Sequence, residues 1–495
     1  MRDLKEVEKF LLPPAIVAVV VVCWWVAGLP WLPVVVGLSS VYVVIDLTIG
    51  FMVLYYLNRA YYHIKPTPPV EEVKDKNHPI YRYVPKIAKM VARVPLANYP
   101  TPITELHLDL SDDSDSTDKR TSPSYEMTIH VKREDLASNI YGGVKVRTLE
   151  FLLGCAKAAQ MRKDPTVKPV VWTIGGPGSN HALACASFSE KAGIEPGFIA
   201  QVPQYSYSTS RINLSSTLSL KGRIRCMFSL SWKLHFLRAM YSIMRDSNSY
   251  VMTGGGANPV GSLGHVGAGL ELAEQIERKE CPEPTDLFVT FGSGCTTAGL
   301  CVGIMLARHF KIGFRRDIKD FTLHASVIHP DITRMVGAQL IKRIARQSLD
   351  LLRTAGIPDL RPELDAVLSR VIISTKNIGN GYGHPTRKGQ QARKTFEKSA
   401  NSPVLDTSYS EKGAVGMLDF LHNELKQRPD SLRNRSVIFW ASKSLVLPKG
   451  SVDMYESQLA EQPKFVRKWL AQKDDPVITS EIRARLADRA VAAGG

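Results

Sequence analysis

What this sequence lacks narrows it first. Its seven cysteines are an odd number, with no Cys-x-x-Cys and no Cys/His spacing of a metal site. A disulfide framework and a zinc module are therefore excluded as organisers of the fold, and no metal is expected. Reduced, buried thiols in a cytosol-facing body fit better, and Cys23 sits in an apolar run. The net charge of +16 comes without a nucleic-acid motif and without a basic block interleaved with aromatics. Nucleic acid is not an expected partner; the excess of base agrees better with an anionic surface such as a membrane leaflet. The Gly-x-Gly-x-x-Gly dinucleotide spacing is missing, and no glycine turn ends in Gly-Lys-Ser/Thr.

Charge is also missing near the N-terminus. Leu11 to Gly28 carries none, and Val34 to Leu57 is apolar except for Asp46. Each run approaches the ~20 residues that a helix needs to cross a bilayer. A cleaved signal peptide is the alternative for the first run, but its flank mixes acids with bases and no small-x-small site follows. The pattern predicts a transmembrane helical hairpin turning at Leu29 to Leu32, with Trp24, Trp25, Trp31, Tyr55, Tyr56, Tyr61 and Tyr62 near its ends. Arg59, Lys65, Lys74 and Lys76 follow the second run, so both ends should face the cytosol. Asp46 is expensive in lipid and should face a partner. The Pro-rich, charged stretch after the hairpin reads as a linker, and Ser111 to Ser124 as an exposed acidic loop.

What is present is a series of glycine turns, each after an apolar strand or before a helix. Gly142-Gly143 precedes Lys145, and Val146, Leu149 and Leu153 then recur at helical spacing. A lysine at a helix start is misplaced by a few tenths of a kcal/mol. It is either a solvated surface lysine or an amine nucleophile whose pKa the setting lowers. Val170 to Ile174 runs into Gly175-Gly176-Pro177-Gly178-Ser179-Asn180-His181 and a helix. Gly254-Gly255-Gly256 leads to Gly261 and Gly264. Leu287 to Phe291 runs into Gly292-Ser293-Gly294-Cys295-Thr296-Thr297 and an apolar helix. Consecutive amides, hydroxyls and a helix dipole there make a phosphate cradle. Later come Gly381-Tyr382-Gly383, then Asp406-Thr407-Ser408-Tyr409-Ser410, and a strand ending in Ser442-Lys443-Ser444.

In this order these segments resemble the fold-type-II pyridoxal-phosphate enzymes, most closely the 1-aminocyclopropane-1-carboxylate deaminase and D-cysteine desulfhydrase family. That family reads Lys-Arg-Glu-Asp, a spacer, then Gly-Gly-Asn-Lys; here Lys132-Arg133-Glu134-Asp135 leads to Gly142-Gly143-Val144-Lys145. The resemblance covers about Arg93 to Ser444 and implies roles. Lys145 would hold pyridoxal 5'-phosphate covalently and act as base. Asn180 would meet the cofactor's phenolic oxygen, and Ser179 would lie by the substrate. Gly292, Ser293, Gly294, Thr296 and Thr297 would hold the phosphate. Tyr382 and Tyr409 would face the substrate, and Ser442 would approach the pyridine nitrogen. Val144 replaces the family's asparagine, and Lys443 and Ser444 replace its glycines.

The expected fold is α/β: two lobes with parallel-type sheets flanked by helices, preceded by the transmembrane hairpin. The divisions are an anchor at 1–64, a linker at 65–92, a large lobe at 93–154 and 265–447, a small lobe at 155–264 and an extension at 448–495. The expected chemistry is β-elimination from a small amino acid with a thiol leaving group, giving a 2-oxo acid and ammonia. Ring-opening deamination of a cyclopropane amino acid is the sibling reaction. A hydroxyl at Ser410, where the deaminases carry a carboxylate, and another at Ser442, at the end of the neighbouring strand, favour the first. An inactive, membrane-tethered cofactor binder and a structural membrane protein are the other readings. A homodimer is the expected assembly, with its body facing the cytosol.

Overall fold

The computed structural model describes residues 32–71, 77–110, 125–202, 208–228, 232–379, 381–443, 450 and 452–472. Among the described residues, ten strands form two sheets. They are β1 (Ile103–Asp109), β2 (Glu126–Lys132), β3 (Val170–Gly175), β4 (Glu195–Val202), β5 (Arg223–Phe228), β6 (Ser249–Val251), β7 (Asp286–Phe291), β8 (Thr322–Val327), β9 (Val371–Ser374) and β10 (Val437–Trp440). The larger sheet runs β1-β2-β10-β7-β8-β9, and the smaller runs β5-β4-β3-β6. Only β1 pairs antiparallel, with β2; every other pairing is parallel.

Parallel strands covered on both faces read as continuous apolar runs rather than alternating ones. Val437, Ile438, Phe439 and Trp440 of β10 are all buried, as are Leu287, Phe288 and Val289 of β7. β1 sits at an edge and alternates, burying Leu106 and Leu108.

The small sheet lies wholly between β2 and β7 in the chain. The chain leaves the large lobe through the helix Lys145–Lys163 and returns through the helix Pro259–Glu277. Cys155 and Gly264, where the lobes divide in the sequence, therefore fall inside helices. The two helices touch closely at Gly264, where a Cβ would meet the Arg147 carbonyl oxygen at 2.1 Å.

The stretch 65–92 is not a free linker where it is described. Ile80, Tyr81, Val84, Ile87 and Val91 are buried in the large-lobe core. Two short helices, Pro79–Tyr83 and Ile87–Met90, carry them. The prolines that suggested a linker instead begin one helix and separate the two, which hides the apolar period. The helices Val452–Glu461 and Lys464–Leu470 pack on the small lobe, burying Val466 and Trp469 against Leu214, Leu218 and Phe198. Burial of side chains this size stabilises by ~1.5–3 kcal/mol each.

Of the predicted hairpin, Leu11 to Gly28 lies outside the described residues, as does the acidic loop. Among the described residues one helix segment, Val43–Tyr61, is long and apolar enough to cross a membrane. It belongs to the helix Leu32–Tyr61, which seats Val53 and Ala60 on the small lobe. Val44, Leu47, Phe51, Leu54 and Tyr55 of the same helix are exposed. Asp46 has a partner, the Lys233 Nζ at 2.8 Å.

Candidate active site

The site stands on a buried network of charges built from the segment before the lysine. Lys132 Nζ donates to Glu271 Oε1 at 2.5 Å and to the Thr101 carbonyl at 2.8 Å. Arg133 pairs with Asp135 at 2.8 Å. Arg147 donates to both oxygens of Glu134 and to Glu271 Oε1 at 2.9 Å. Lys132, Glu134, Arg147 and Glu271 are fully buried, so each charge depends on its partners to offset lost hydration.

This network shapes the turn that places Lys145. The Gly143 N–H donates to the Glu134 carbonyl at 2.7 Å, and the Val144 N–H to the Ser442 carbonyl at 3.0 Å. A Cβ on Gly142 would stand 2.1 Å from the Asp135 oxygen. Gly143 has a φ of 91°, which glycine adopts without strain. Lys145 then opens its helix, with Nζ 3.4 Å from the Gly255 carbonyl. Burial lowers its pKa below the ordinary lysine range, as an amine nucleophile requires.

Gly255 closes the other side. Its φ is 67°, and a Cβ there would lie 2.6 Å from Ser293 Oγ and 3.2 Å from Lys145 Nζ. The space between Lys145 and the 292–297 turn thus exists because position 255 has no side chain.

That turn follows β7 and opens the helix Cys295–His309. Gly294 has a φ of 80°. The Thr297 hydroxyl is buried without a hydrogen-bond partner among the described residues. Thr296 Oγ1 and Thr148 Oγ1 lie 3.4 and 2.9 Å from His265 Nε2. Burial holds the His265 imidazole well below its usual pKa, so it is neutral.

Opposite Lys145, Asn180 Oδ1 accepts from Asn213 Nδ2 at 2.8 Å and from the Tyr141 hydroxyl at 3.3 Å. Ser179 caps the helix Asn180–Ser187, its Oγ accepting from the Ala182 N–H at 3.2 Å. The next residue, His181, is buried with neither ring nitrogen hydrogen-bonded among the described residues. Burial, and then the charge of Lys145, hold its pKa down to about 3. The Tyr382 hydroxyl donates to the Gly178 carbonyl at 3.4 Å and meets the Tyr409 hydroxyl. Burial pushes the Tyr382 phenol up to about 12.

These groups surround a cleft. Lys145, Asn180, Gly292, Ser293, Gly294, Thr296, Thr297, Tyr409 and Ser442 line it. Tyr382 adjoins through Tyr409, whereas the Ser179 hydroxyl is engaged in its helix cap. Val144, Thr290 and Cys295 also line the cleft. The sequence reading assigned no site role to Tyr141, Asn213, Thr290 or His265. Their roles arise from contacts between distant segments, and no local pattern marks them.

Two departures from the family pattern find their places. Val144 contributes a backbone bond and a buried side chain. Lys443 bridges to Gly143 through its backbone, and its Nζ lies 3.8 Å from Asp406 Oδ2. It does not line the cleft. The Ser442 hydroxyl does, and it is buried without a partner among the described residues.

The family model for "pyridoxal-phosphate dependent enzyme" matches residues 115–316, which hold Lys145, Asn180 and the 292–297 turn. Residues 115–316 of this chain are thus similar to the pyridoxal-phosphate-dependent enzymes. The chain is 26% identical to a D-cysteine desulfhydrase of Klebsiella pneumoniae over 66% of this chain and 88% of that one. It is 25% identical to the mitochondrial bifunctional D-cysteine desulfhydrase/1-aminocyclopropane-1-carboxylate deaminase of Arabidopsis thaliana, over 70% of this chain and 79% of that one. The solved structure of a 1-aminocyclopropane-1-carboxylate deaminase homologue shares the fold, with a TM-score of 0.51 and 21% identity, over 78% of this chain and 99% of that one.

The residues present fit the cofactor. A buried amine of lowered pKa faces a glycine-walled space. Orphaned hydroxyls stand at two points of the lining, Thr297 in the turn and Ser442 at the strand end. Leaving such a group unpaired costs about 1–3 kcal/mol, a cost that a phosphate oxygen and a ring nitrogen would relieve.

Proposed function

We propose that this enzyme catalyses β-elimination from a small D-amino acid, D-cysteine or a close relative. Water enters, and hydrogen sulfide, ammonia and a 2-oxo acid leave. Bound in the cleft, pyridoxal phosphate supplies an electron sink for negative charge at the substrate Cα. The protein supplies the rest. Lys145 binds the cofactor and moves the Cα proton. Asn180, fixed by Tyr141 and Asn213, orients the ring. The turn at 292–297 holds the phosphate. Tyr382 and Tyr409 present hydroxyls to the substrate, protonated at neutral pH because burial raises both phenols.

The observation that carries this reading is the make-up of the lining. Among the described residues it holds hydroxyls and amides and no carboxylate. Asp406 is turned away, accepting from the backbone amides of Ser408, Tyr409 and Ser410. A ring nitrogen met by the Ser442 hydroxyl leaves the electron sink weaker than a carboxylate would. A weak sink suffices when a thiolate leaves from Cβ, but not for an unactivated cyclopropane. The preference for the D isomer follows the names of the relatives. The test is kcat/KM for D-cysteine against 1-aminocyclopropane-1-carboxylate. A higher value for D-cysteine is expected, and a higher value for the cyclopropane overturns the choice.

We also propose that the N-terminal segment holds the enzyme on a membrane as a two-span hairpin, with the catalytic body in the cytosol and two copies paired. The exposed apolar face at 43–55 supports membrane contact, as do the uncharged run before it and the basic residues after it. Retention of the full-length chain in the membrane fraction after alkaline carbonate is expected; release would overturn the anchor.

A further inference from the structure

One buried cation beside Tyr382 has no part in the chemistry above. Lys412 lies in the first turn of the helix Ser410–Gln427 and is fully buried. Its Nζ donates to the carbonyl of Ile378 and to that of Gly381, each at 2.7 Å. The second carbonyl belongs to the residue just before Tyr382.

The chain there turns sharply, and the Gly381 carbonyl also accepts from the His384 N–H at 3.3 Å. Gly379, Gly381 and Gly383 have φ values of 66°, 130° and 80°, which non-glycine residues rarely adopt. No regular helix or strand covers Tyr382. Two charge-assisted bonds from one ammonium replace what a ladder would otherwise provide. Burial of that ammonium is offset chiefly by the Asp406 carboxylate. Asp406 also accepts from the amides of Ser408, Tyr409 and Ser410. One helix start therefore fixes Tyr409 directly and reaches Tyr382 through Lys412, and the two phenol oxygens meet.

We propose that Lys412 is the positioning residue that holds Tyr382 against Tyr409 at the substrate face, acting through the carbonyls of Ile378 and Gly381. This rests on the reading that Tyr382 faces the substrate. Lys412→Met keeps the length of the side chain and removes the donor.

The test uses the full-length, cofactor-loaded protein with D-cysteine as probe. Lys412→Met should lower kcat/KM by about ten- to a hundredfold, the range that a displaced positioning group costs. Tyr382→Phe should also lower it. The double variant should fall no further than the worse single one, because both act through one hydroxyl. Chymotryptic cleavage after Tyr382, followed without substrate, should speed up at least tenfold in Lys412→Met. Additive losses in the double variant, or unchanged cleavage, overturn the proposal. If Tyr382→Phe leaves turnover unaltered, the substrate-face reading fails, and with it the proposal's catalytic half. Faster cleavage in Lys412→Met would then still support the hold on the segment.

Should Lys412→Met not fold, the unmodified protein provides the test. Burial brings Lys412 down to about 8, and Asp406, Glu411, His329 and His384 are the titratable groups that act with it. Cleavage after Tyr382, normalised to a free peptide substrate, should rise as pH passes about 8. A flat profile contradicts the proposal.

Discussion

Arg147 grips Glu134 with two parallel bonds, Nε to Oε2 at 2.6 Å and Nη2 to Oε1 at 2.7 Å, both residues fully buried. Two residues before Arg147 stands Lys145, and the Glu134 carbonyl holds the turn that precedes it. The pair therefore joins the segment after β2 to the start of the lysine helix.

Removing one partner of such a pair leaves an uncompensated buried charge. Arg147→Leu should destabilise the fold by about 3–5 kcal/mol, since Glu134 loses its cation and Glu271 is left with Lys132 alone. Urea unfolding of the full-length protein measures this. A loss within about 0.5 kcal/mol, the range of ordinary surface substitutions, would show that the network does not carry the turn.

Thr297 offers a test with opposite signs in two states. Its hydroxyl is buried and unpartnered without the cofactor. Thr297→Val should leave the cofactor-free protein as stable as before or slightly more so. The same change should weaken pyridoxal phosphate binding by about 1 kcal/mol or more, roughly fivefold upward. Equilibrium dialysis gives the affinity and calorimetry of the cofactor-free protein gives the stability. Equal affinity for both proteins would remove Thr297 from the phosphate site.

Glu411 predicts a pH dependence. Its carboxylate is buried with neither oxygen hydrogen-bonded among the described residues, and the Arg393 guanidinium lies 3.6 Å away. Burial raises its pKa from 4.5 to about 8. The folded state thus keeps a proton that the unfolded state releases, so stability is lost as pH rises from about 4.5 through about 8. Glu411→Gln, which cannot ionise, should match the unmodified protein near the lower limit and exceed it by about 1–3 kcal/mol near the upper one. A stability difference that does not change with pH would contradict this.

How much of this was legible in the sequence depended on distance along the chain. Lys145 and the 292–297 turn were readable because a glycine turn between a strand and a helix is local chemistry. The partners of Lys132 were not: Glu271 lies 139 residues away, on a helix whose apolar pattern does not mark an acid as a buried ligand. Lys443 replaces a glycine of the family pattern, and its sequence position does not reveal that its ammonium lies beside Asp406. The stretch 65–92 was misread because Pro79 and Pro85 break its apolar period into two short helices, although Ile80, Val84, Ile87 and Val91 are spaced as a buried face. Lys412 passed unnoticed for a similar reason. A lysine in a first helical turn next to a glutamate looks solvated until the carbonyls of Ile378 and Gly381 are folded against it.

The central claim is that Lys145 is the residue that binds the cofactor. Borohydride reduction of the full-length protein loaded with pyridoxal phosphate, followed by peptide mapping, tests it most directly. The account predicts a single pyridoxyl label on Lys145 and none after Lys145→Ala. A label on Lys412, Lys443 or any other lysine, with Lys145 unmodified, would contradict it.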